Sequence, residues 1–319
     1  LALWAPLVAE GQQPSFGPLT SEEGAPLQRF TYTPMMEGAE VTGEGEFSVE
    51  LWNRWSNIFE QDSSATHVLF VDMERLLTAV SIRWGASSTV EVGARVTFET
   101  SGGGVLDGPI VSWHDLFGFG NANRDRFPEE QHRVVLRNAA DDVLLAGSTR
   151  NLGLSDVRLA GKWNAARSAD ARSLLSLKMD VRIPGDTNLA ADERADAALM
   201  ALGRLGVGSW YLHAMMGASA HRVPPELAGV ARGGGAFLTV AVERSLGSRL
   251  AALVQLEAQT AALTTFEHRE LDRAPTNLVL GLAGAIGDSW NWNASFQEDV
   301  PADTPAIDFT VALAVRRTW

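Results

Sequence analysis

The chain has 319 residues, of which 45% are hydrophobic, and a formal net charge of −13; this composition is typical of a folded protein and excludes a disordered one. The acidic balance argues against nucleic acid as a partner, because phosphate binding requires basic surface. No cysteine is present, so disulfides and thiolate metal sites are excluded. No stretch approaches about 18 consecutive apolar residues, which excludes a transmembrane helix but not a transmembrane β-barrel.

Residues 1–44 are rich in Pro, Gly and Glu and show no regular alternation. We expect them to form a periplasmic extension or a plug, distinct from a barrel domain over 45–319. The opening stretch, L-A-L-W-A-P-L-V-A-E, lacks the basic region and the full apolar core of a signal peptide. The chain as given is therefore expected to be either cytosolic or already processed. If the chain forms an outer-membrane barrel, we expect it to be already processed, with the signal peptide removed.

Alternation of apolar and polar residues is the main feature of the chain after residue 44. In T-V-E-V-G-A-R-V-T-F, Val90, Val92 and Val96 share one face of a strand, while Glu91 and Arg95 share the other. The pattern predicts an all-β fold, an antiparallel transmembrane β-barrel of about 12 strands, since single-chain bacterial barrels have an even number. A soluble two-sheet sandwich alternates in the same way and is the rival fold. The predicted strands are 45–59, 67–84, 88–100, 153–167, 172–183, 195–205, 209–221, 234–246, 249–262, 274–286, 289–299 and 306–319.

Short turns and long loops differ in composition along this pattern. Tight turns such as R-L-G-V-G-S and S-L-G-S-R contrast with polar, Pro-rich connections such as E-D-V-P-A-D-T-P. Outer-membrane barrels have this asymmetry, with short periplasmic turns and long extracellular loops. The chain also has ten Trp but only two Tyr. Trp84, Trp210, Trp290 and Trp292 lie near the short turns, which predicts an interfacial aromatic girdle.

Residues 101–152 form a long insertion between the third and fourth predicted strands, which we expect to be extracellular. It contains a possible hairpin, R-V-V-L-R-N-A-A-D-D-V-L-L. If this hairpin joined the barrel wall, the strand count would be 14.

The insertion also holds the least ordinary stretch of the chain, V-S-W-H-D-L-F-G-F-G-N-A-N-R-D-R-F-P. His114 beside Asp115 could be half of a catalytic or metal-binding group, although adjacent residues of a strand point to opposite faces. The basic residues that follow could bind an anion. The alternative is an ordered loop cap held by apolar packing and charge-assisted hydrogen bonds. The candidate cap, plug or ligand-contact residues are Trp113, His114, Asp115, Phe117, Arg124, Asp125 and Arg126.

Inward positions of the predicted strands carry charges of both signs. Such a set either cross-links into a network that narrows the bore or lines a wet channel. No metal site and no cofactor is predicted. The candidate lumen-lining residues are Glu50, Arg54, Glu91, Arg95, Arg158, Lys162, Lys178, Asp180, Arg182, His213, Glu243 and Glu257.

The C-terminal strand ends on an aromatic residue after regular alternation. This pattern is similar to the recognition signal of bacterial outer-membrane barrels, and it predicts the barrel-assembly machinery, outer-membrane lipid and lipopolysaccharide as partners. Arg317 interrupts the pattern where many such barrels have an aromatic, and it could snorkel to the headgroups. The candidate signal residues are Phe309, Val311, Leu313, Val315 and Trp319.

The motif W-H-D-L-F-G followed by R-D-R-F-P resembles a domain-of-unknown-function family of Gram-negative outer-membrane barrels. The resemblance continues through E-F-S-V-E-L-W-N-R-W-S-N and G-L-S-D-V-R-L-A-G-K-W and covers most of residues 27–319. It implies a fold and a bacterial outer-membrane location. It implies no activity, so no catalytic residue is carried over.

Three functions are compatible with these patterns. The first is a narrow or gated channel for small solutes, closed by the 101–152 insertion or by residues 1–44. The second is a closed barrel that serves as a scaffold for an envelope protein partner. The third is a membrane-embedded hydrolase, for which His221 and His268 are candidate members without an assignable partner.

Overall fold

The computed structural model describes residues 14–28, 32–117, 126–128, 130–185, 195–223, 225–228, 231–264, 272–300 and 309–319. Nearly all regular structure is β. Within the described residues, no helix combines the length and the hydrophobicity needed to cross a bilayer. The elements are β1 (Phe47–Ser63), β2 (His67–Ser87), β3 (Val90–Gly102), α1 (Asp107–Phe117), β4 (Arg133–Asn138), β5 (Val143–Gly147), β6 (Arg150–Arg167), β7 (Leu174–Pro184), β8 (Asp196–Val207), β9 (Trp210–Ala220), β10 (Gly234–Ser245), β11 (Leu250–Gln259), β12 (Thr276–Ile286), β13 (Trp290–Asp299) and β14 (Phe309–Thr318).

Twelve antiparallel strands close into a barrel. The order is β1, β2, β3, then β6 to β14 in sequence, and β14 pairs with β1 to complete the ring. Trp52 on β1 lies opposite Ala79 of β2 on one side and Ala314 of β14 on the other. Because a closed barrel leaves no strand edge unpaired, every wall backbone group can be satisfied without water. The predicted antiparallel barrel of twelve strands is confirmed.

The hairpin of β4 and β5 lies outside the wall, so the alternative count of fourteen is wrong. β4 pairs with residues 67–72 of β2, above the point where β3 begins to pair with that strand at Glu74. β5 pairs with β4. The hairpin therefore extends the β1–β2 pair beyond the rim instead of inserting between wall strands.

The insertion contains a helix, α1, that the strand pattern does not predict. Asp107 begins it and accepts hydrogen bonds from Asn57 Nδ2 and from the Glu130 backbone N–H, each at 2.9 Å. Pro109 is tolerated there because the first turn has no intrahelical partner for its missing N–H. His114 and Asp115 are therefore neighbours on a helix and not on a strand.

The outer face of the barrel is apolar along the whole wall. On β7, for example, Leu177 and Met179 are exposed while Lys178 and Asp180, which alternate with them, are buried. This is the period-2 alternation of a strand with lipid on one side and a polar interior on the other. An apolar face exposed all round a closed barrel is the outer-membrane type of surface.

The two ends of the barrel differ. One end, called the short-turn end, carries the connections 88–89, 168–173, 208–209, 246–249 and 287–289. The opposite end, called the long-loop end, carries the 103–149 insertion and most of the longer connections. Aromatic residues with exposed side chains lie next to the short turns, as a girdle requires. They are Phe47, Trp84, Trp163, Trp210, Trp290 and Trp319.

Arg317 belongs to this girdle. Its guanidinium carbon lies 5.2 Å from the ring centroid of Trp290 and 4.7 Å from that of Trp319. A cation over an aromatic face is attracted by the ring quadrupole. Among the predicted signal residues, Val311 and Leu313 are exposed on the outer face of β14. Their role in assembly stays a prediction.

Residues 14–28 and 32–43, called the N-terminal segment, run inside the barrel. The ascending arm, 14–28, starts at the short-turn end, where the Pro14 carbonyl accepts a hydrogen bond of 3.4 Å from Ser245 Oγ. It reaches the long-loop end at Leu27, which packs in an apolar cluster there. The descending arm, 32–43, returns to the start of β1. The backbone N–H of Met36 donates to the Ser21 carbonyl at 2.9 Å and links the two arms.

Candidate functional site

The predicted lumen residues lie on the inner face of the barrel, where their side chains have little contact with solvent. Each sits between outward-facing neighbours, because strand side chains alternate. All are buried except Arg95, whose side chain is 11% exposed. The structure brings most of them into contact with the N-terminal segment. Those that are buried are Glu50, Arg54, Glu91, Arg158, Lys162, Lys178, Asp180, Arg182, His213, Glu243 and Glu257.

Glu37 of the descending arm is the centre of the largest ion-pair group. Its carboxylate lies 3.3 Å from Lys162 Nζ, 3.2 Å from Lys178 Nζ and 3.9 Å from Arg83 Nη2. The side chain of Glu37 is 13% exposed, and the three cations offset the cost of removing its carboxylate from water. The carboxylate therefore bridges three strands of the wall, β2, β6 and β7.

Three wall carboxylates complete this group. Glu50 pairs with Arg83 at 3.3 Å and with Arg95 at 3.6 Å. Glu91 pairs with Lys162 at 3.1 Å. The Glu91 carboxylate also accepts hydrogen bonds from the Thr42 backbone N–H at 2.8 Å and from Thr42 Oγ1 at 2.7 Å. Lys178 pairs with Asp180 at 3.1 Å. The lower half of the descending arm is thus held by charge on several strands at once.

Tyr32 anchors the upper part of the descending arm. Its hydroxyl donates to Asp180 at 2.5 Å. The guanidinium carbons of Arg158 and Arg182 lie 5.4 and 4.6 Å from its ring centroid. Arg158 also binds Glu22 of the ascending arm at 2.8 Å. One cluster therefore fastens both arms to β6 and β7.

Glu243 holds the start of the ascending arm. It accepts hydrogen bonds from Ser15 Oγ at 2.8 Å and from the backbone N–H groups of Phe16 and Gly17 at 2.8 and 3.2 Å. His213 Nε2 lies 2.9 Å from the same carboxylate and 3.5 Å from Ser15 Oγ. In a hydrolase the hydroxyl would donate to the histidine and the carboxylate would orient the other ring nitrogen. This geometry instead suits an anchor.

Arg54 lies on the inner face of β1 and is only 1% exposed. None of its three guanidinium nitrogens has a hydrogen-bond partner among the described residues. It faces Gly24, where a Cβ would come within 2.4 Å of the guanidinium. A side chain at position 24 would therefore have to displace the guanidinium. Glu23 beside it binds Asn277 Nδ2 at 2.5 Å.

An apolar cluster surrounds the top of the N-terminal segment at the long-loop end. Ala25 and Leu27 of the ascending arm are each 1% exposed within it. The wall and the extension above the rim supply Ile58, Leu69, Val71, Met73, Val134, Leu136, Leu227, Ala262 and Leu263. Such packing excludes water from this end of the lumen.

The main internal space is at the short-turn end. A cavity of about 310 Å³ lies between the two arms and the lower parts of β1, β13 and β14. Two pockets deeper among the described residues measure about 30 and 10 Å³. The smaller is about the size of the space that one water requires. Above this cavity the lumen holds the two arms and their contacts with the wall.

The W-H-D-L-F-G stretch lies apart from the lumen contacts. Trp113, His114, Asp115 and Phe117 are on α1, but their side chains, like Arg124 and Asp125, lie outside the described residues. Arg126 is exposed. Phe127 packs outside the wall, with its ring centroid 5.6 Å from Phe59 and 5.0 Å from Phe70.

The remaining histidine candidates are not brought into a catalytic group. His221 Nε2 lies 2.5 Å from the Arg232 carbonyl, and His268 lies outside the described residues. Across the described ranges, no group of three or more His, Asp or Glu side chains could hold a metal ion.

Sequence reasoning missed the residues of the N-terminal segment that bind the wall. Glu22, Tyr32, Glu37 and Glu40 all contact lumen cations. A usable signal was present, because residues 1–44 are acidic while many inward strand positions are basic. Charge complementarity between the two sets predicts that they meet.

A family model described as "Protein of unknown function (DUF3187)" matches residues 3–319. The chain belongs to this family. No match was found among curated proteins. The DUF3187 description assigns no activity, so the function has to be argued from the barrel itself.

Solved structures similar to this DUF3187 chain are barrels with low sequence identity. The translocator domain of autotransporter NalP from Neisseria meningitidis is 11% identical, with 86% of this chain and 88% of that chain covered and a TM-score of 0.44. The KdgM porin is 8% identical, covers 85% and 98%, and has a TM-score of 0.42. The toluene transporter TbuX from Ralstonia pickettii is 9% identical, covers 86% and 89%, and has a TM-score of 0.41. At these values the likenesses carry no argument about activity.

Proposed function

We propose that this protein is a gated channel for small solutes in the bacterial outer membrane, and that the N-terminal segment is its plug. One observation carries the proposal. Among the described residues, no backbone hydrogen bond joins 14–43 to the barrel wall; the contacts are made through side chains. The wall ladder is therefore complete without the segment, so the segment can leave without breaking the barrel.

Withdrawal of the segment would leave a wet bore. The inner face would then present the charged side chains that now bind the plug, and a barrel of this size is wider than the eight-stranded barrels that fill with their own side chains. The short-turn end would face the periplasm and the 101–152 insertion the exterior. The apolar outer face would contact lipid and lipopolysaccharide, and β14 would be the strand that the barrel-assembly machinery binds.

Single-channel conductance of the detergent-purified full chain in planar bilayers tests this proposal. The protein has no cysteine, so the pair Ala39→Cys and Ser176→Cys can lock the descending arm to β7, where Ser176 Oγ donates to the Ala39 carbonyl at 2.6 Å. We expect brief openings in the unmodified protein, silence in the oxidised pair, and openings restored by reductant. Each single-cysteine variant serves as a control that oxidation should not silence.

A second variant, in which residues 14–43 are replaced by a short Gly-Ser linker, should conduct steadily. A folded barrel of this variant that shows no conductance would contradict the proposal. Folding is checked independently by heat-modifiable migration on a gel, because a closed barrel stays folded in detergent until it is boiled.

A closed scaffold that docks an envelope protein is the second candidate. It is favoured by the packing of the segment, because Leu19, Leu27, Met35 and Met36 each belong to an apolar cluster shared with the wall. A segment that is part of the core would never leave. Silence of the unmodified protein, and of the Ala39→Cys, Ser176→Cys variant both before and after reduction, would support this function over the channel.

A further inference from the structure

We propose that the cavity of about 310 Å³ at the short-turn end binds a small zwitterionic solute, an amino acid or a short peptide. The inference names the solute class of the proposed channel and rests on that channel for transport, while binding is tested separately. Ligand pockets of about 300 to 1,000 Å³ hold drug-sized molecules, so a cavity at the lower limit suits a smaller one.

One wall of the cavity offers unused hydrogen-bond donors. Arg316 and Asn291 are direct cross-strand partners on β14 and β13, and both line the cavity. Asn291 has no hydrogen-bond partner among the described residues. Arg316 lies opposite Glu50 of β1 and interacts with that carboxylate, but it has no ion-pair partner within 4.0 Å in the described chain. Arg83 also lines the cavity; its Nη2 binds Glu50 at 3.3 Å, but its buried Nη1 has no partner within the described chain.

A buried donor without a partner is costly, and such groups in native proteins usually bind water or a ligand. Of the three residues, Arg83 has such a donor, its Nη1. Guanidinium and amide N–H groups that converge from two adjacent strands match the two oxygens of a carboxylate. The donor wall formed by Arg83, Asn291 and Arg316 is therefore suited to the carboxylate end of a solute.

The acidic residues that line the cavity differ in whether they already have an ion-pair partner. Glu91 binds Lys162 and Glu40 binds Arg204. Glu46, just before β1, lines the same cavity and has no ion-pair partner among the described residues. Glu46 is exposed, so its carboxylate is accessible both to solvent and to an ammonium group.

The nearly equal numbers of basic and acidic residues in the cavity lining argue against a site for a simple anion. Four basic residues (Arg83, Lys162, Arg204 and Arg316) and five acidic residues (Glu37, Glu40, Glu46, Glu50 and Glu91) line the cavity. The lining thus has no excess of positive charge that would attract an anion. It has one cation without an ion pair within 4.0 Å, Arg316 opposite Glu50, and one exposed carboxylate without an ion pair, Glu46. A molecule that carries both charges satisfies both.

Calorimetric titration of the purified full chain with glycylglycine tests the inference, with acetate and ethylammonium as single-charge probes. We expect glycylglycine to bind and each single-charge probe to bind at least about 10-fold more weakly, because each loses one charge-assisted contact. Arg316→Gln and Glu46→Gln should each weaken glycylglycine binding by about 10-fold or more. Arg316→Lys, which retains the charge, should weaken it less.

Arg317→Gln is the matched control, since Arg317 lies next to Arg316 but stacks on Trp290 and Trp319; it should leave binding unchanged. Equal binding of acetate and glycylglycine, or glycylglycine binding that survives both Arg316→Gln and Glu46→Gln, would overturn the inference, as would no binding at all. If glycylglycine binds to a protein that never conducts, the inferred site stands and the proposed channel function is wrong. If the protein conducts but does not bind glycylglycine, the channel function stands and the inferred site is wrong.

Discussion

Glu37→Gln is expected to lower the free energy of unfolding by about 3 kcal/mol, the cost of removing one partner from a buried ion pair. The carboxylate is within 4.0 Å of Lys162, Lys178 and Arg83, and the neutral amide would leave these cations without their shared anion. Because the contact holds the descending arm in the lumen, channel openings should also become longer. Urea unfolding in detergent measures the first effect and planar-bilayer recording measures the second.

Glu44→Gln is the matched control for this variant. Glu44 is exposed at the start of the barrel, so the same change in charge there should alter the free energy of unfolding by less than about 0.5 kcal/mol. Equal effects of the two substitutions would show that overall charge, and not the contact of Glu37 with three strands, accounts for the result.

Leu27→Ala is expected to cost about 2 to 5 kcal/mol, the usual range for a fully buried leucine. Leu27 is 1% exposed and packs among residues of β1, β2 and β4 at the long-loop end. The cavity left behind would weaken the contact that holds the top of the N-terminal segment. Leu27→Asp should have a larger effect, because an unpaired carboxylate would be buried in an apolar cluster.

For both Leu27 variants, the midpoint of the thermal gel shift measures stability and planar-bilayer recording measures the frequency of channel opening. Leu152→Ala is the control, since Leu152 is 73% exposed and its truncation removes little packing. If Leu27→Ala has the same midpoint and the same opening frequency as the unmodified protein, the cluster does not hold the segment.

The wall of the barrel could be predicted because period-2 alternation encodes it directly. A strand predicted at 172–183 is observed as β7, Leu174–Pro184, since lipid on one side and a polar lumen on the other force the alternation. The pattern weakens above the rim. β1 continues to Ser63, beyond its predicted end at 59, and the alternation is lost before that end because residues 56–59 are buried on both faces.

The path of the N-terminal segment could not be predicted from periodicity. It has no helix or strand of its own within the described residues, so no repeating pattern marks it. Its contacts are distant in sequence, such as Tyr32 with Asp180. The inward position of Asp180 follows from alternation, but its partner depends on how the whole barrel closes. Helix α1 was missed for a related reason, since it is a short element in a chain dominated by strands.

The measurement that most directly tests the central claim is disulfide formation between the descending arm and the barrel wall in native outer membranes. Ala39→Cys paired with Ser176→Cys should cross-link efficiently, because Ser176 faces the lumen and contacts Ala39. Ala39→Cys paired with Leu177→Cys should not, because Leu177 is 47% exposed on the outer face. Equal cross-linking of both pairs, or of neither, would contradict a segment that occupies the lumen.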